Sequence, residues 1–401
     1  LSFVLFFSEE QGTENLTNDN FYMQKHLIII VLMVFLCACC NDDAMPDDET
    51  GGGLIAKDLT YIPYNPTDYI FPTPERFPDP ILPPDNPLTH EGIELGRRLF
   101  YDPILSADST MSCASCHSPS KSFADNEVLP VGIDGIEGRR NTMALINLAF
   151  IPNNKFNWDG KSPTLEGQAI EPVENPVELH EDWGNVEDKL RRHNTYPEYF
   201  RKAFGIDDTD DITRELATQA IAQFELTLVS SDSYYDRAVV RVEPGVFFEE
   251  DQRRGMKLFM DEGATGLKDA QCWHCHSSGQ RRTLFTNGGF FNNGLDSVGN
   301  LTEFTDLGHG AVTGNLGDNG KFKSPSLRNV ALTAPYMHDG RFATLEEVLN
   351  HYADGGHPAP NVDAFVPIID LNEQEKADII AFLHALTDTT FTKNPAYQNP
   401  F

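Results

Sequence analysis

Positive charge is scarce in this chain: its 401 residues carry 30 Lys and Arg against 61 Asp and Glu, a formal net charge of -31. Phosphate recognition needs clustered Lys and Arg, so this balance argues against nucleic acid and against an anionic membrane surface as partners. A bilayer-length apolar run is missing too, because the uncharged stretch Leu27–Ala38 is too short to span a membrane. Cysteine is confined to seven residues in three local groups: Cys37, Cys39 and Cys40; Cys113 with Cys116; and Cys272 with Cys275. None is left for a long-range disulfide. No hairpin or βαβ pattern competes with a helical reading. Against these absences, 40% hydrophobic and 23% charged residues suffice for an ordinary core. The length exceeds what one core usually organises, so two domains are expected.

Leu27–Ala38, preceded by Lys25, has the form of a signal-peptide apolar region. Met23 begins it in the expected way, which makes residues 1–22 upstream sequence. Leu36-Cys37-Ala38-Cys39 resembles a bacterial lipobox, with Cys39 as the lipidated residue. An ordinary secretory signal cleaved nearby would share the same apolar region. Either reading exports the chain, and the first places it in the periplasm, held to a membrane by lipid. Residues 40–75, acidic and rich in Gly and Pro, read as a disordered tether.

Cys113-Ala114-Ser115-Cys116-His117 and Cys272-Trp273-His274-Cys275-His276 both have the C-x-x-C-H spacing of c-type haem attachment. Two thiols three positions apart lie on one helical turn and can both add to haem vinyl groups. The adjacent histidine is then delivered to the iron. One C-x-x-C alone would equally suit a redox disulfide or half a zinc site. Two complete motifs in an exported chain favour two covalent haem c groups.

The segments around the motifs repeat. Gly96, Leu99, Phe100, Asp102, Cys113, Cys116, His117 and Ser118 recur 159 positions later as Gly255, Leu258, Phe259, Asp261, Cys272, Cys275, His276 and Ser277. Asp159-Gly160, Thr164, Leu165 and Glu166 recur 180 positions later as Asp339-Gly340, Thr344, Leu345 and Glu346, which makes Trp158 and His338 equivalent. Apolar periodicity predicts a helix from Ile212 to about Ser230 that bridges the modules. Thr344 with Glu347 is a capping box opening a helix through Tyr352, and Asn372–Leu386 reads as a final helix. The expected fold is all-α: two tandem cytochrome c-like haem domains with long loops. Residues 1–39 are the upstream segment and leader, 76–240 the first haem domain and 241–395 the second.

From Pro83 to Leu386 the chain resembles the bacterial di-haem cytochrome c peroxidase/MauG family. The resemblance rests on Leu95-Gly96-Arg97-Arg98-Leu99-Phe100, Trp158-Asp159-Gly160, Gln168 with Glu178, and Pro335-Tyr336-Met337-His338-Asp339-Gly340. It implies a peroxide site at the N-terminal haem, with Glu178 moving a proton between peroxide oxygens and Gln168 orienting bound oxygen species. Trp158 would assist electron transfer between the haems. Asn141, with the carbonyls of Thr333 and Pro335, would hold Ca²⁺.

Two departures matter. No histidine lies between Ser118 and Asn141, where many family peroxidases carry a ligand that closes the resting first haem. Tyr352 stands where electron-transferring members have methionine, as in the MauG-like branch; Met337, His338 and His351 compete for that place. The implied activity is hydrogen peroxide reduction with electrons from a small exported donor of cytochrome c or cupredoxin type. The alternatives are a MauG-like oxidase acting on a protein or small molecule, and a di-haem carrier without turnover. Assembly into a homodimer stays open.

The lipobox generates the first prediction. Cys39→Ser should move the protein from the membrane fraction to the soluble periplasmic or culture fraction on cell fractionation. Equal membrane association of variant and parent would refute the anchor.

Overall fold

The computed structural model describes residues 57–260, 269–277 and 283–401. Cys39, the signal segment, the first part of the tether and Asp261 lie outside the described residues. The helices in chain order are α1 (His90–Tyr101), α2 (Cys113–Cys116), α3 (Leu165–Glu174), α4 (Trp183–Arg192), α5 (Tyr196–Phe204) and α6 (Arg214–Leu226). There follow α7 (Glu250–Met260), α8 (Cys272–Cys275), α9 (His309–Thr313), α10 (Leu345–Ala353), α11 (Glu373–His384) and α12 (Thr389–Thr392). Long loops with short 3₁₀ turns connect them. The only ladder among the described residues is a two-stranded antiparallel one, β1 (Phe290–Phe291) against β2 (Phe322–Lys323), with Phe290 opposite Lys323.

The helix starts are written locally. Thr344 accepts from the Glu347 backbone while Glu347 reaches back to the cap, and Asn372 with Glu375 does the same for α11. Thr164 caps α3 by accepting from Gly167 N. The bridging helix predicted near residues 212–230 is α6, ending at Leu226.

The repeat is physical. In each copy the helix before the haem motif crosses a later helix at a glycine: a Cβ at Gly96 of α1 would lie 1.8 Å from Ala220 O of α6. At Gly255 of α7 it would lie 1.9 Å from Asp378 O of α11. These two crossings centre two cores. One gathers Leu95, Leu99, Trp183, Phe200 and Ile221. The other gathers Phe259, Phe285, Leu349, Ile379 and Phe382. Isolated bridges Phe156↔Ser162 and Tyr336↔Phe342 then prepare α3 and α10 in the same way.

Two expected boundaries shift. Within the segment read as a tether, Leu59 is 1% exposed, Asp58 bridges Asp208, and Tyr69 and Phe71 pack on an apolar cluster. The acidic composition concealed four apolar side chains, Leu59, Ile62, Tyr69 and Phe71, spaced widely enough to reach different parts of the core. At the other end, Phe391 joins Phe100 and Phe123 in one cluster. Tyr397 donates to Thr227 O at 2.7 Å, and Arg97 donates to Gln398 O at 2.8 Å. The last residues thus return to the first module instead of closing the second.

Gly96→Ala and Gly255→Ala should each lower stability by about 1–3 kcal/mol or more, because the intruding methyl meets backbone that cannot rotate away. Denaturant unfolding of the haem-loaded protein measures this. Midpoints equal to the parent's would show that the crossings are looser than described.

Candidate active site

Each haem motif forms one helical turn, α2 and α8, so both thiols and the following histidine share a face. The four thiols are unpaired. His117 Nδ1 lies 2.7 Å from Phe123 O, and His276 Nδ1 lies 3.2 Å from Phe285 O and from Pro325 O. A donor hydrogen bond at Nδ1 fixes the tautomer that leaves Nε2 with a lone pair for a metal. Burial pushes both imidazoles below the usual histidine range, His276 to about 4, so both are neutral as a ligand must be.

The carbonyls that orient these histidines come from an unusual backbone. Phe123 and Phe285 are both 0% exposed and both left-handed, with φ of 59° and 52°. A bulky residue held there costs on the order of 1–3 kcal/mol, which its buried ring offsets. Phe100 and Phe259, equivalent in the repeat, stand 6.4 and 6.5 Å from the His117 and His276 rings. Nothing in the sequence marked Phe123 or Phe285, since positive φ is a glycine habit.

A cavity of about 510 Å³ opens at the first motif, lined by Cys113, Cys116, His117, Trp158, Gln168 and Glu178. This volume lies within the range of cofactor pockets. Its walls also carry Leu105, Leu165 and Ile221, which suit a flat apolar macrocycle. Two buried ionisable groups are among its lining residues. Glu225 Oε2 has no hydrogen bond, and burial pushes that carboxyl up to about 8. The Lys323 ammonium, 6% exposed, donates to Lys155 O at 3.2 Å and lies 5.9 Å from the centre of the Phe156 ring, and burial lowers it to about 8. An apolar slot with a pair of thiols, a neutral imidazole and one buried carboxylate oxygen lacking a hydrogen bond fits covalent haem.

Glu178 is held at one oxygen. Asn175 accepts from Val177 N with Oδ1, closing an Asx turn, and donates 2.6 Å to Glu178 Oε1 with Nδ2. Glu178 lines the cavity. Burial raises its pKa, against the lowering effect of the Asn175 bond. Gln168 stands one turn before Pro172 on α3 and lines the same space.

Trp158 ties the two halves together. Its indole donates 2.8 Å to Asn141 O, and its own carbonyl accepts from Lys323 N at 2.8 Å. Asn141 N in turn donates to His338 O at 2.7 Å, so the equivalent residues Trp158 and His338 both bind Asn141. The Asn141 amide donates to Glu127 O at 2.8 Å. Thr333 and Pro335 are among the cavity's lining residues, while Asn126 donates to the carbonyls of Leu332 and Ala334 on the same segment. Arg140, not anticipated from the sequence, joins Asp159 at 2.7 Å to Asp306 at 2.8 Å.

At the second motif Tyr352 is in electrostatic range of Cys275 and Cys272. Burial pushes its hydroxyl up to about 12, and a hydrogen bond from Asn293 opposes this. Of its competitors, His351 is buried with Nε2 on Asn293 O at 2.9 Å, and His338 is stacked 3.5 Å from the Phe322 ring. Met337 is half-buried, and its sulfur accepts from Asn293 at 3.4 Å.

Fold and site together define a duplicated c-type cytochrome with two haem-attachment motifs. A family model described as di-haem cytochrome c peroxidase matches residues 90–243. The methylamine utilization protein MauG of Methylorubrum extorquens is 36% identical over 318 residues, 79% of this chain and 83% of that protein. The cytochrome c551 peroxidase of Pseudomonas aeruginosa is 32% identical over 321 residues, 78% of this chain and 82% of that protein. A solved structure of a MauG-like protein associated with microbial copper homeostasis matches with a TM-score of 0.72 at 33% identity, covering 83% of this chain and 99% of that one. The chain belongs to the di-haem cytochrome c peroxidase family and is an oxidoreductase of that family, which implies two c-type haems. Among the described residues no helix is long and apolar enough to cross a membrane.

Proposed function

We propose that this protein reduces hydrogen peroxide in the first cavity, with electrons entering through the second module from an exported donor of cytochrome c or cupredoxin type. Peroxide takes up two electrons and two protons and leaves as two waters. When bound, the two haems supply the redox iron for those electrons. His117 and His276 hold them, and Cys113, Cys116, Cys272 and Cys275 fix their position.

The observation that carries this reading is Glu178. Asn175 clamps one carboxylate oxygen, and Glu178 lines the cavity that His117 and the first thiol pair share. Such a group takes a proton from one peroxide oxygen and returns it to the departing one. Gln168 offers an amide beside it to orient the substrate. Trp158, hydrogen-bonded to both halves, is the residue placed to carry electrons between them. A carrier without turnover would have no use for a clamped carboxylate at an open cavity.

The same reading assigns Ca²⁺ to Asn141 with the carbonyls of Thr333 and Pro335, a set of neutral hard oxygens completed by water. It assigns a lipid anchor to Cys39 and a periplasmic setting to the folded part. The net charge of -31 suits a basic donor. A second reading, use of the oxidising equivalents on a protein or small molecule, is favoured by Tyr352. An anionic oxygen ligand at the second iron stabilises its higher oxidation states, and a thioether does the reverse.

Glu178→Gln should keep both haems and slow peroxide turnover at least about a hundredfold in steady-state assays with a reduced cytochrome donor. The acid limb of the pH profile should go with it. Glu178 must be ionised to accept a proton, so activity in the parent falls as pH drops through its raised pKa, above the ordinary carboxylate range. Turnover within a few-fold of the parent, with the acid limb intact, would remove Glu178 from this role.

A further inference from the structure

Asn293 lies just after β1 and belongs to neither haem motif. Its amide nitrogen donates 3.2 Å to Tyr352 Oη and 3.4 Å to Met337 Sδ. A single NH₂ group, with one proton for each, therefore contacts two side-chain atoms of kinds that bind haem iron, and Tyr352 is in electrostatic range of Cys272 and Cys275 of the second motif. The backbone that carries this group is held by hydrogen bonds. Asn293 O accepts from His351 Nε2 at 2.9 Å, and the neighbouring Asn292 binds Asn361 at 2.8 Å and Gly294 N at 2.9 Å. Met337 is held in the left-handed region with φ of 76°, so its side chain is presented by a constrained backbone.

We propose that Asn293 is a positioning residue that selects the phenolate oxygen of Tyr352 over the thioether of Met337 as the distal ligand of the second haem. This rests on the assignment of Tyr352 as that ligand. The physical basis is the inequality of the two hydrogen bonds. A bond to an ionised acceptor is about twice as strong as one to a neutral acceptor. Thioether sulfur is a weak acceptor even among neutral ones. The same donor, offered to both atoms, therefore stabilises the anionic ligand more than the neutral one. Without the donor, a phenolate in this buried place loses its hydrogen-bonding partner, while methionine loses little.

The test is spectroelectrochemical titration with optical and EPR spectra of the haem-loaded full chain, for Asn293→Leu, Tyr352→Phe and the double variant Asn293→Leu/Met337→Leu. Asn293→Leu should weaken the phenolate-to-iron absorption. It should also raise the potential of the second haem by more than about 59 mV, which corresponds to a tenfold change in a one-electron equilibrium. Adding Met337→Leu should abolish that rise, since the incoming sulfur is gone. If Asn293→Leu matches the parent while Tyr352→Phe changes the spectrum, Tyr352 stays as the ligand and the role of Asn293 is overturned. If Tyr352→Phe matches the parent, the ligand assignment itself fails and this inference with it. Should Asn293→Leu not retain two haems, Asn293→Ala is measured in the same way and judged by the same outcomes.

Discussion

The hydrogen bond from the histidine of each C-x-x-C-H turn to a phenylalanine carbonyl is the interaction on which the remaining structure depends. It fixes the orientation of the imidazole that follows the two thiols. The carbonyl faces the ring only because Phe123 and Phe285 are forced into the left-handed region. They remain there because each ring is buried in a core, Phe123 against Phe100 and Phe391, Phe285 against Phe259 and Phe382. Core packing, backbone strain and ligand orientation are thus one arrangement, made twice. The return of the C-terminal residues over the first module contributes directly, since Phe391 packs on the residue that holds His117.

Between the copies the chain has diverged where chemistry differs. The first copy keeps Trp158, the second has His338 in its place, and both are bound to Asn141. The first copy opens a cavity and clamps a carboxylate in it. The second brings a phenol, a thioether and an amide together. Arg140 spans Asp159 and Asp306, so the junction is held by charge as well as by packing.

Much of this was legible in the residues. The two C-x-x-C-H motifs, the repeat at 159 and 180 positions, the α6 periodicity and the capping boxes at Thr344 and Asn372 each have a local physical cause, and the fold follows them. Gly96 and Gly255 were visible as a repeated pair, though not as the contact points of two helix crossings. What stayed hidden depends on distant partners. Asn293 is an ordinary loop asparagine until the chain brings Met337 and Tyr352 to it. Glu225 and Lys323 lie in segments with no charge pattern, and only burial sets them apart. Phe123 and Phe285 break a backbone preference that sequence reasoning assumes. The packing of Leu59, Tyr69 and Phe71 was masked by the acidic composition around them.

The central claim is that a duplicated fold holds two irons in unlike coordination: open beside Glu178 in the first copy, closed by Tyr352 in the second. An EPR spectrum of the resting diferric protein, before any reduction, addresses this most directly. The account predicts one five-coordinate high-spin haem and one six-coordinate low-spin haem in equal amounts, because no histidine between Ser118 and Asn141 is available to close the first site. Two low-spin haems in the resting state would contradict it.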